Sequence, residues 1–549
     1  MQTPKFSRRS FLRSGAAAAA AASFQGFSLQ VQAAPAPIGT ICQTQYGPVH
    51  GIQQEEHLVW YSIPYGASTA GDARWTAPQD PVPWADARDC TTPGTAAYQY
   101  ASCAMGTENC LRLDVYTTAK ANKRPVLVYF HGGGNQTGSA QELPGGELAE
   151  QLDCVFVGVD YRLGLFGFNC LPAFCSGPDE TGNFALLDMA KALDWVRDNI
   201  AAFGGDPQNI TVFGFSAGGR DVMAMLASPL FAGRFQKAIS CSGGMTMADE
   251  NTSARTLAAA LAPLAVEDGK ALTEAAAQDW LLTTDPAIRR WLSSVDAARL
   301  APLMANAGLR MSVFPHLYAD GVSLPAGGFE AAQYSDVPLL LLTGASEFHA
   351  FARWDSWFSS EKAQRYSAQE LETAKQFAGN YGSALYRVFN TRSSAELLSA
   401  RSGAPLYLCQ AEYGAADSRT PIPLLGSFHG IFLPMLSSRN GYTSWADFSG
   451  AGFQAMAEQF HQYLKNFLTS GDPNGNRLLS GSTRWPRWTA DAPAMLVLDA
   501  DADRAYCQRA AQTETKDSIL AALEADTSLS PALKQDVTEN VLKGRFFFG

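Results

Sequence analysis

Gly214-Phe215-Ser216-Ala217-Gly218 is the stretch that decides the fold of this chain, because of what stands on either side of it. Upstream runs Asn209-Ile210-Thr211-Val212-Phe213, apolar and β-branched, which reads as a buried strand. Downstream runs Asp221-Val222-Met223-Ala224-Met225-Leu226-Ala227, which reads as a helix. A serine on so sharp a turn between strand and helix needs glycine at both ends, since bulkier side chains would collide there. The turn lifts the hydroxyl above the sheet edge and aims the helix N-terminus at whatever the hydroxyl attacks. The chain holds 48 glycines, so the bare pattern arises readily by chance, and it is the strand and helix around it that carry the reading.

The same alternation extends outward. Pro125-Val126-Leu127-Val128-Tyr129-Phe130 and Val155-Phe156-Val157-Gly158-Val159 are apolar runs of strand length, as is Ala238-Ile239-Ser240-Cys241-Ser242. Between Asn183 and Ile200 apolar residues recur at helical spacing. Val337 to Leu342, Leu406 to Cys409 and Met495 to Leu498 read as further strands, and two helices close the chain before the short tail Arg545-Phe546-Phe547-Phe548. Strands alternating with helices imply an α/β fold: a mostly parallel central sheet covered by helices on both faces. Residues 251–310 are almost all helical in pattern and are expected to form a cap over the C-terminal edge of the sheet.

The chain has 549 residues, 46% hydrophobic and 17% charged, with no internal repeat and no long Pro- or Ser-rich linker. One large domain over residues 34–549 is expected. A net charge of −11 without a basic stripe argues against nucleic acid as a partner. Ser7-Arg8-Arg9-Ser10-Phe11-Leu12 is a twin-arginine export pattern, followed by a weakly apolar run from Ala16 to Ala22 and by small residues at Val31-Gln32-Ala33. Residues 1–33 therefore read as a removable bacterial signal, with a periplasmic or secreted destination. The run is too short and too Ala-rich for a membrane anchor.

Ten cysteines suit an oxidising destination. Cys154 and Cys241 read as buried thiols, while Cys103 with Cys110, Cys170 with Cys175, and Cys90 with Cys110 are the pairs close enough to bridge. No Cys/His cluster has zinc spacing, so neither a metal nor a cofactor is expected.

His131-Gly132-Gly133-Gly134 follows the strand that ends at Phe130. Successive glycines let the backbone approach a ligand closely and turn its N–H groups inward. Attack on an ester carbonyl places negative charge on oxygen, and fixed donors aimed there stabilise the transition state. The N–H groups of Gly133, Gly134 and Ala217 are the candidate oxyanion donors. The chain order expected around such a serine is serine, acid, histidine. Of the histidines after Ser216, His461 lies in the helical run Met456 to Leu468, His316 precedes the last credible acid, and His349 is two residues from the best one. His429, in the loop Gly426-Ser427-Phe428-His429-Gly430, remains as the base. Glu347, just past the strand Val337 to Leu342, is the candidate acid. Its competitors Asp320 and Asp417 read as turn residues.

On these residues the chain resembles the type-B carboxylesterases, a family of α/β-hydrolase fold that includes cholinesterases, para-nitrobenzyl esterases and the non-catalytic neuroligins. Trp60-Tyr61-Ser62-Ile63-Pro64-Tyr65-Gly66, Glu108-Asn109-Cys110-Leu111-Arg112-Leu113-Asp114-Val115, Tyr161-Arg162-Leu163-Gly164, Asn199-Ile200-Ala201-Ala202-Phe203-Gly204-Gly205-Asp206-Pro207, Gly471-Asp472-Pro473-Asn474 and Trp485-Pro486 are similar to the family's motifs. The resemblance spans nearly the whole mature chain. It implies a serine carboxylic-ester hydrolase acting on neutral carboxylic esters of small molecules through an acyl-enzyme, with Ser216, Glu347, His429, Gly133 and Gly134 in the roles chosen above.

Departures from the family pattern matter too. Phe215 stands where the family usually has Glu, which implies poor turnover of choline esters beside neutral ones. Asn135 replaces the aromatic residue after the glycines, so Phe215 and Asn135 are expected to shape substrate binding. Asp221 replaces a serine, and Arg220 precedes it. The loop before Glu347 is about two residues shorter than the family's. The family cysteine that precedes Cys110 aligns with Ala97, which re-routes the implied bridge to Cys90 or Cys103. Trp354, Trp357 and Phe358 are open to two readings, an acyl pocket or core packing. The same triad would serve an amidase, a transacylase or a polyester or toxin-ester hydrolase. A binding protein on a retired hydrolase fold is disfavoured because all three members are kept.

Overall fold

A computed structural model describes residues 37–175, 181–304, 316–476 and 478–548. The signal segment 1–33 and residues 305–310 of the expected cap lie outside the described residues.

Eleven strands form the main sheet: β1 (Ile52–Gln54), β2 (His57–Pro64), β3 (Arg112–Thr118), β4 (Arg124–Phe130), β5 (Val155–Val159), β6 (Gly205–Phe215), β7 (Lys237–Cys241), β8 (Leu339–Gly344), β9 (Leu406–Ala411), β10 (Ala494–Ala500) and β11 (Ala505–Ala511). Their order across the sheet is β11-β10-β9-β8-β7-β6-β4-β5-β3-β2-β1. The seven strands from β5 to β10 in that order run parallel, and the strands at both edges are antiparallel. β6 sits at the middle, with Val212 opposite Val128 on one side and Ala238 on the other.

The central strands are apolar on both faces because both are covered. Val126, Val128 and Phe130 point into one core cluster, while Leu127 and Tyr129 point into another. In β8, Leu339 and Leu341 face the first and Leu340 and Leu342 the second. Helices α1 (Phe184–Asn199) and α2 (Ala217–Ala227) fill the first face. The helix Ala451–Ser470 covers the second with Phe453, Met456, Phe460, Tyr463, Leu464 and Phe467, a stripe at helical period. This is the mostly parallel, doubly covered sheet expected from the alternation of elements. A third cluster joins the helix Ala368–Val388 to the C-terminal helices Lys516–Ala525 and Pro531–Val537.

Residues 250–304 carry the helices Glu250–Glu267, Glu274–Leu281, Pro286–Ser294 and Ala297–Leu300. They pack into the first cluster through Leu257, Leu261, Ile288, Trp291 and Leu300. None of the bridges considered from the sequence is formed: no disulfide links any of the cysteines among the described residues. The physical reason differs by site. Cys103 is exposed on the turn between the short strands Gln99–Tyr100 and Ala104–Met105, whereas Cys90 and Cys110 are buried. Cys170 turns its thiol to the Glu250 carbonyl, and Cys175 to that of Asn169. Among the described residues no helix is long and apolar enough to cross a membrane, and no group of three or more His, Cys, Asp or Glu is arranged to hold a metal ion.

Candidate active site

Ser216 occupies the single residue between β6 and α2 with φ 55° and ψ −113°, a backbone conformation that a non-glycine residue adopts at a cost of about 1–3 kcal/mol. Its flanks explain the two glycines. A Cβ on Gly214 would stand 2.0 Å from the Gly218 carbonyl oxygen, and one on Gly218 would stand 2.0 Å from the carbonyl oxygen of Phe130. The helix starts at Ala217, four residues earlier than the apolar pattern alone indicated, so its N-terminal dipole begins at the serine itself.

The three candidate groups meet. Ser216 Oγ lies 2.8 Å from His429 Nε2, and His429 Nδ1 lies 2.7 Å from Glu347 Oε2. An ionised carboxylate only accepts, so Nδ1 carries the proton and donates to Glu347, which leaves Nε2 free to accept the serine hydroxyl. Glu347 is 1% exposed, and its second oxygen is fully engaged. Oε1 accepts from Ser242 Oγ (2.7 Å), Thr343 Oγ1 (2.9 Å) and the Gly344 amide (2.5 Å). These donors fix the carboxylate and offset the cost of burying it. Phe215 and Phe351 pack on the His429 ring, with centroids 4.9 and 5.2 Å away.

The glycine loop is pinned from behind. Glu142 accepts from the Gly132 amide and from Tyr129 Oη, both at 2.7 Å, and burial raises its pKa. Gly133 and Gly134 have φ of 96° and 68°, which turns their amides away from ordinary strand geometry. The N–H groups of Gly133, Gly134 and Ala217 donate to no acceptor among the described residues. His131 does not take part: it is buried and stacked on Tyr161, and burial pushes its pKa down to about 4.

Ser216 and His429 open onto a cavity of about 400 Å³, whose wall includes Gly133, Gly134, Arg220, Phe351, Trp354, Tyr386, Trp445 and Phe546. Two expectations are corrected here. Phe215 and Asn135 are both fully buried and line none of it. Phe215 points down into the core against His429 and Tyr442, because successive residues of a strand alternate in direction. Asn135 is held behind the loop, where its Nδ2 donates to Asp221 Oδ1 (2.8 Å) and its Oδ1 accepts from Tyr161 Oη (3.2 Å). Of the three aromatics after the acid, Trp354 lines the cavity and Trp357 packs in the C-terminal cluster.

The rejected candidates sit elsewhere. Asp320 accepts the amides of Val322, Ser323 and Leu324 in its own turn, and His349 contacts the Ser346 carbonyl. Sequence reasoning missed Ser242, Thr343 and Glu142. Ser242 comes from the end of the neighbouring strand β7, Thr343 stands in β8 four residues before Glu347, and Glu142 lies ten residues past Gly132; none stands in a readable motif.

A family model described as the carboxylesterase family matches residues 39–375. Para-nitrobenzyl esterase of Bacillus subtilis (strain 168) is 40% identical over 241 residues, 42% of this chain and 49% of that protein. A medium-chain fatty acyl-CoA hydrolase precursor of Anas platyrhynchos is 37% identical over 226 residues, 36% of this chain and 40% of that protein. The aligned stretches thus span half or less of these curated relatives. Among solved structures, a thermophilic PNB esterase superposes with a TM-score of 0.67 at 26% identity, covering 86% of this chain and 97% of that one. Carboxylesterase Est55 of Geobacillus stearothermophilus gives a TM-score of 0.68 at 25% identity, covering 88% and 100%.

Proposed function

Because the chain belongs to the carboxylesterase family, we propose that it hydrolyses carboxylic esters of small molecules through an acyl-enzyme on Ser216. Ser216 Oγ attacks the ester carbonyl carbon while its proton passes to His429 Nε2, and Glu347 stabilises the imidazolium so formed. The carbonyl oxygen becomes an oxyanion that accepts the Gly133, Gly134 and Ala217 N–H groups, each worth about 3 kcal/mol of barrier. Collapse breaks the ester C–O bond, and the alcohol leaves with the proton from His429. Water then attacks the acyl carbon, gives its proton to His429 and releases the acid, returning the proton to Ser216.

The observation that carries this reading is the unbroken relay from Glu347 through His429 to Ser216 beside unengaged amides. Purified protein should hydrolyse p-nitrophenyl butyrate, and Ser216→Ala should abolish that activity; undiminished turnover in the variant would refute the reading. Choline esters should turn over more slowly than their neutral isosteres, since the cavity wall carries the cation Arg220.

Export by the twin-arginine route to the periplasm or beyond belongs to the same proposal, supported by Ser7-Arg8-Arg9-Ser10-Phe11-Leu12. Replacing Arg8 and Arg9 by Lys should leave the protein in the cytosolic fraction. Unchanged fractionation would count against export by this route.

A further inference from the structure

One cation in the cavity wall has nothing to hold. Arg220 is 6% exposed, lies one helical turn beyond Ser216 with its amide donating to the Ser216 carbonyl (3.0 Å), and lines the cavity. Among the described residues four arginines are buried: Arg74, Arg162, Arg220 and Arg545. Three of them grip a carboxylate. Arg74 holds Glu108 at 2.6 Å, Arg162 holds Asp188 at 2.7 Å and Arg545 holds Asp355 at 2.5 Å. Arg220 makes no ion pair and no side-chain hydrogen bond with any described residue. Its neighbour Asp221 acts on it only through space and accepts instead from Asn135 Nδ2. What Arg220 has is the face of Phe546, with its Cζ 4.9 Å from the ring centroid.

An unpaired buried guanidinium is expensive, and elsewhere this fold removes the expense with a carboxylate. Here the place of that carboxylate opens onto the cavity that also holds the serine. The aromatic shelf of Phe546 keeps the planar fork oriented with its N–H donors free, and a guanidinium fork matches a carboxylate in two parallel hydrogen bonds. The chain's net charge of −11 repels anions at long range, so a site for one needs a local cation. Resting on the ester-hydrolase reading, we propose that Arg220 receives a carboxylate carried by the ester, so that the substrates of this chain are anionic half-esters bound between Ser216 and Arg220.

The test compares esters matched in length, one of each pair carrying a carboxylate and the other a neutral group in its place. Ethyl hydrogen adipate against ethyl hexanoate places the carboxylate on the acyl side, and 4-acetoxybenzoate against its methyl ester places it on the alcohol side. In at least one pair the wild-type kcat/KM should favour the anion. Arg220→Gln should lower that anion-to-neutral ratio about 10- to 100-fold, the worth of a charge-assisted hydrogen bond, with Arg220→Lys intermediate. Equal loss on both members of each pair, or an unchanged ratio, overturns the proposal. Should Arg220→Gln fail to fold, the wild-type protein decides: adipate should inhibit neutral-ester hydrolysis at least about tenfold more tightly than adipamide, and equal inhibition overturns the proposal. Hydrolysis of the neutral esters in the same assays reports separately on the ester-hydrolase reading itself.

Discussion

Replacing Glu347 by Gln changes one oxygen for one NH₂ group and leaves the shape of the side chain intact. The structure dictates how the new amide must sit. Three donors converge on the Oε1 position, from Ser242, Thr343 and Gly344, and the last is a backbone N–H that cannot reverse its role. The amide oxygen must therefore take that position, and the NH₂ must face His429 Nδ1. Nδ1 then becomes an acceptor, the ring proton moves to Nε2, and Nε2 no longer accepts the proton of Ser216. The imidazolium also loses its counter-charge. The loss expected is about 10⁴-fold in kcat, or roughly 5 kcal/mol of barrier, with little change in KM because Glu347 touches no part of the cavity. Steady-state hydrolysis of p-nitrophenyl butyrate measures it, with the thermal midpoint as a control for folding. A Glu347→Gln protein that folds and retains activity within about tenfold of wild type would show that this carboxylate does not set the histidine tautomer.

Other outcomes follow from buried charge. Burial raises Asp221 from its ordinary 3.8 to about 7, so its folded value lies above its unfolded one and the stability tied to it fades as pH rises through about 7. Asp221→Asn keeps an acceptor for Asn135 and should gain stability relative to wild type by up to about 3 kcal/mol between about pH 5 and about pH 8.5, measured by urea unfolding. An advantage that shrinks with rising pH would reverse that sign. Arg162→Met leaves Asp188 buried without its partner and should cost about 3–5 kcal/mol in the same assay. A cost under about 1 kcal/mol would mean that Asp188 finds another donor or protonates without penalty.

The sequence was most legible where burial is complete on both sides. β4, β5, β7, β8 and β9 are short apolar runs, and each was located within a few residues. The edges were not. β11 reads Ala505-Tyr506-Cys507-Gln508-Arg509-Ala510-Ala511 and is half exposed, so no alternation marks it. The motif-rich segment from Pro48 to Trp84 hid the strand His57–Pro64, and the helix Ala368–Val388 went unread although it anchors the third core cluster. At the site, serine, histidine and acid were legible because each stands at a strand end or in a glycine-flanked loop. Phe215 and Asn135 were misplaced because motif position reports proximity to the nucleophile, while side-chain direction is set by the strand and by Tyr161 and Asp221. The unpaired state of Arg220 was invisible in one dimension, since it is a statement about which carboxylates do not reach its guanidinium.

The most direct measurement is covalent. Incubation with diethyl 4-nitrophenyl phosphate, followed by intact-mass analysis and peptide mapping, reports which side chain is the nucleophile. One diethylphosphoryl group per chain, on Ser216, with no labelling and no ester hydrolysis in Ser216→Ala, is the expected result. Phosphorylation at another residue together with loss of activity, or hydrolysis that survives in the Ser216→Ala protein, would contradict the assignment.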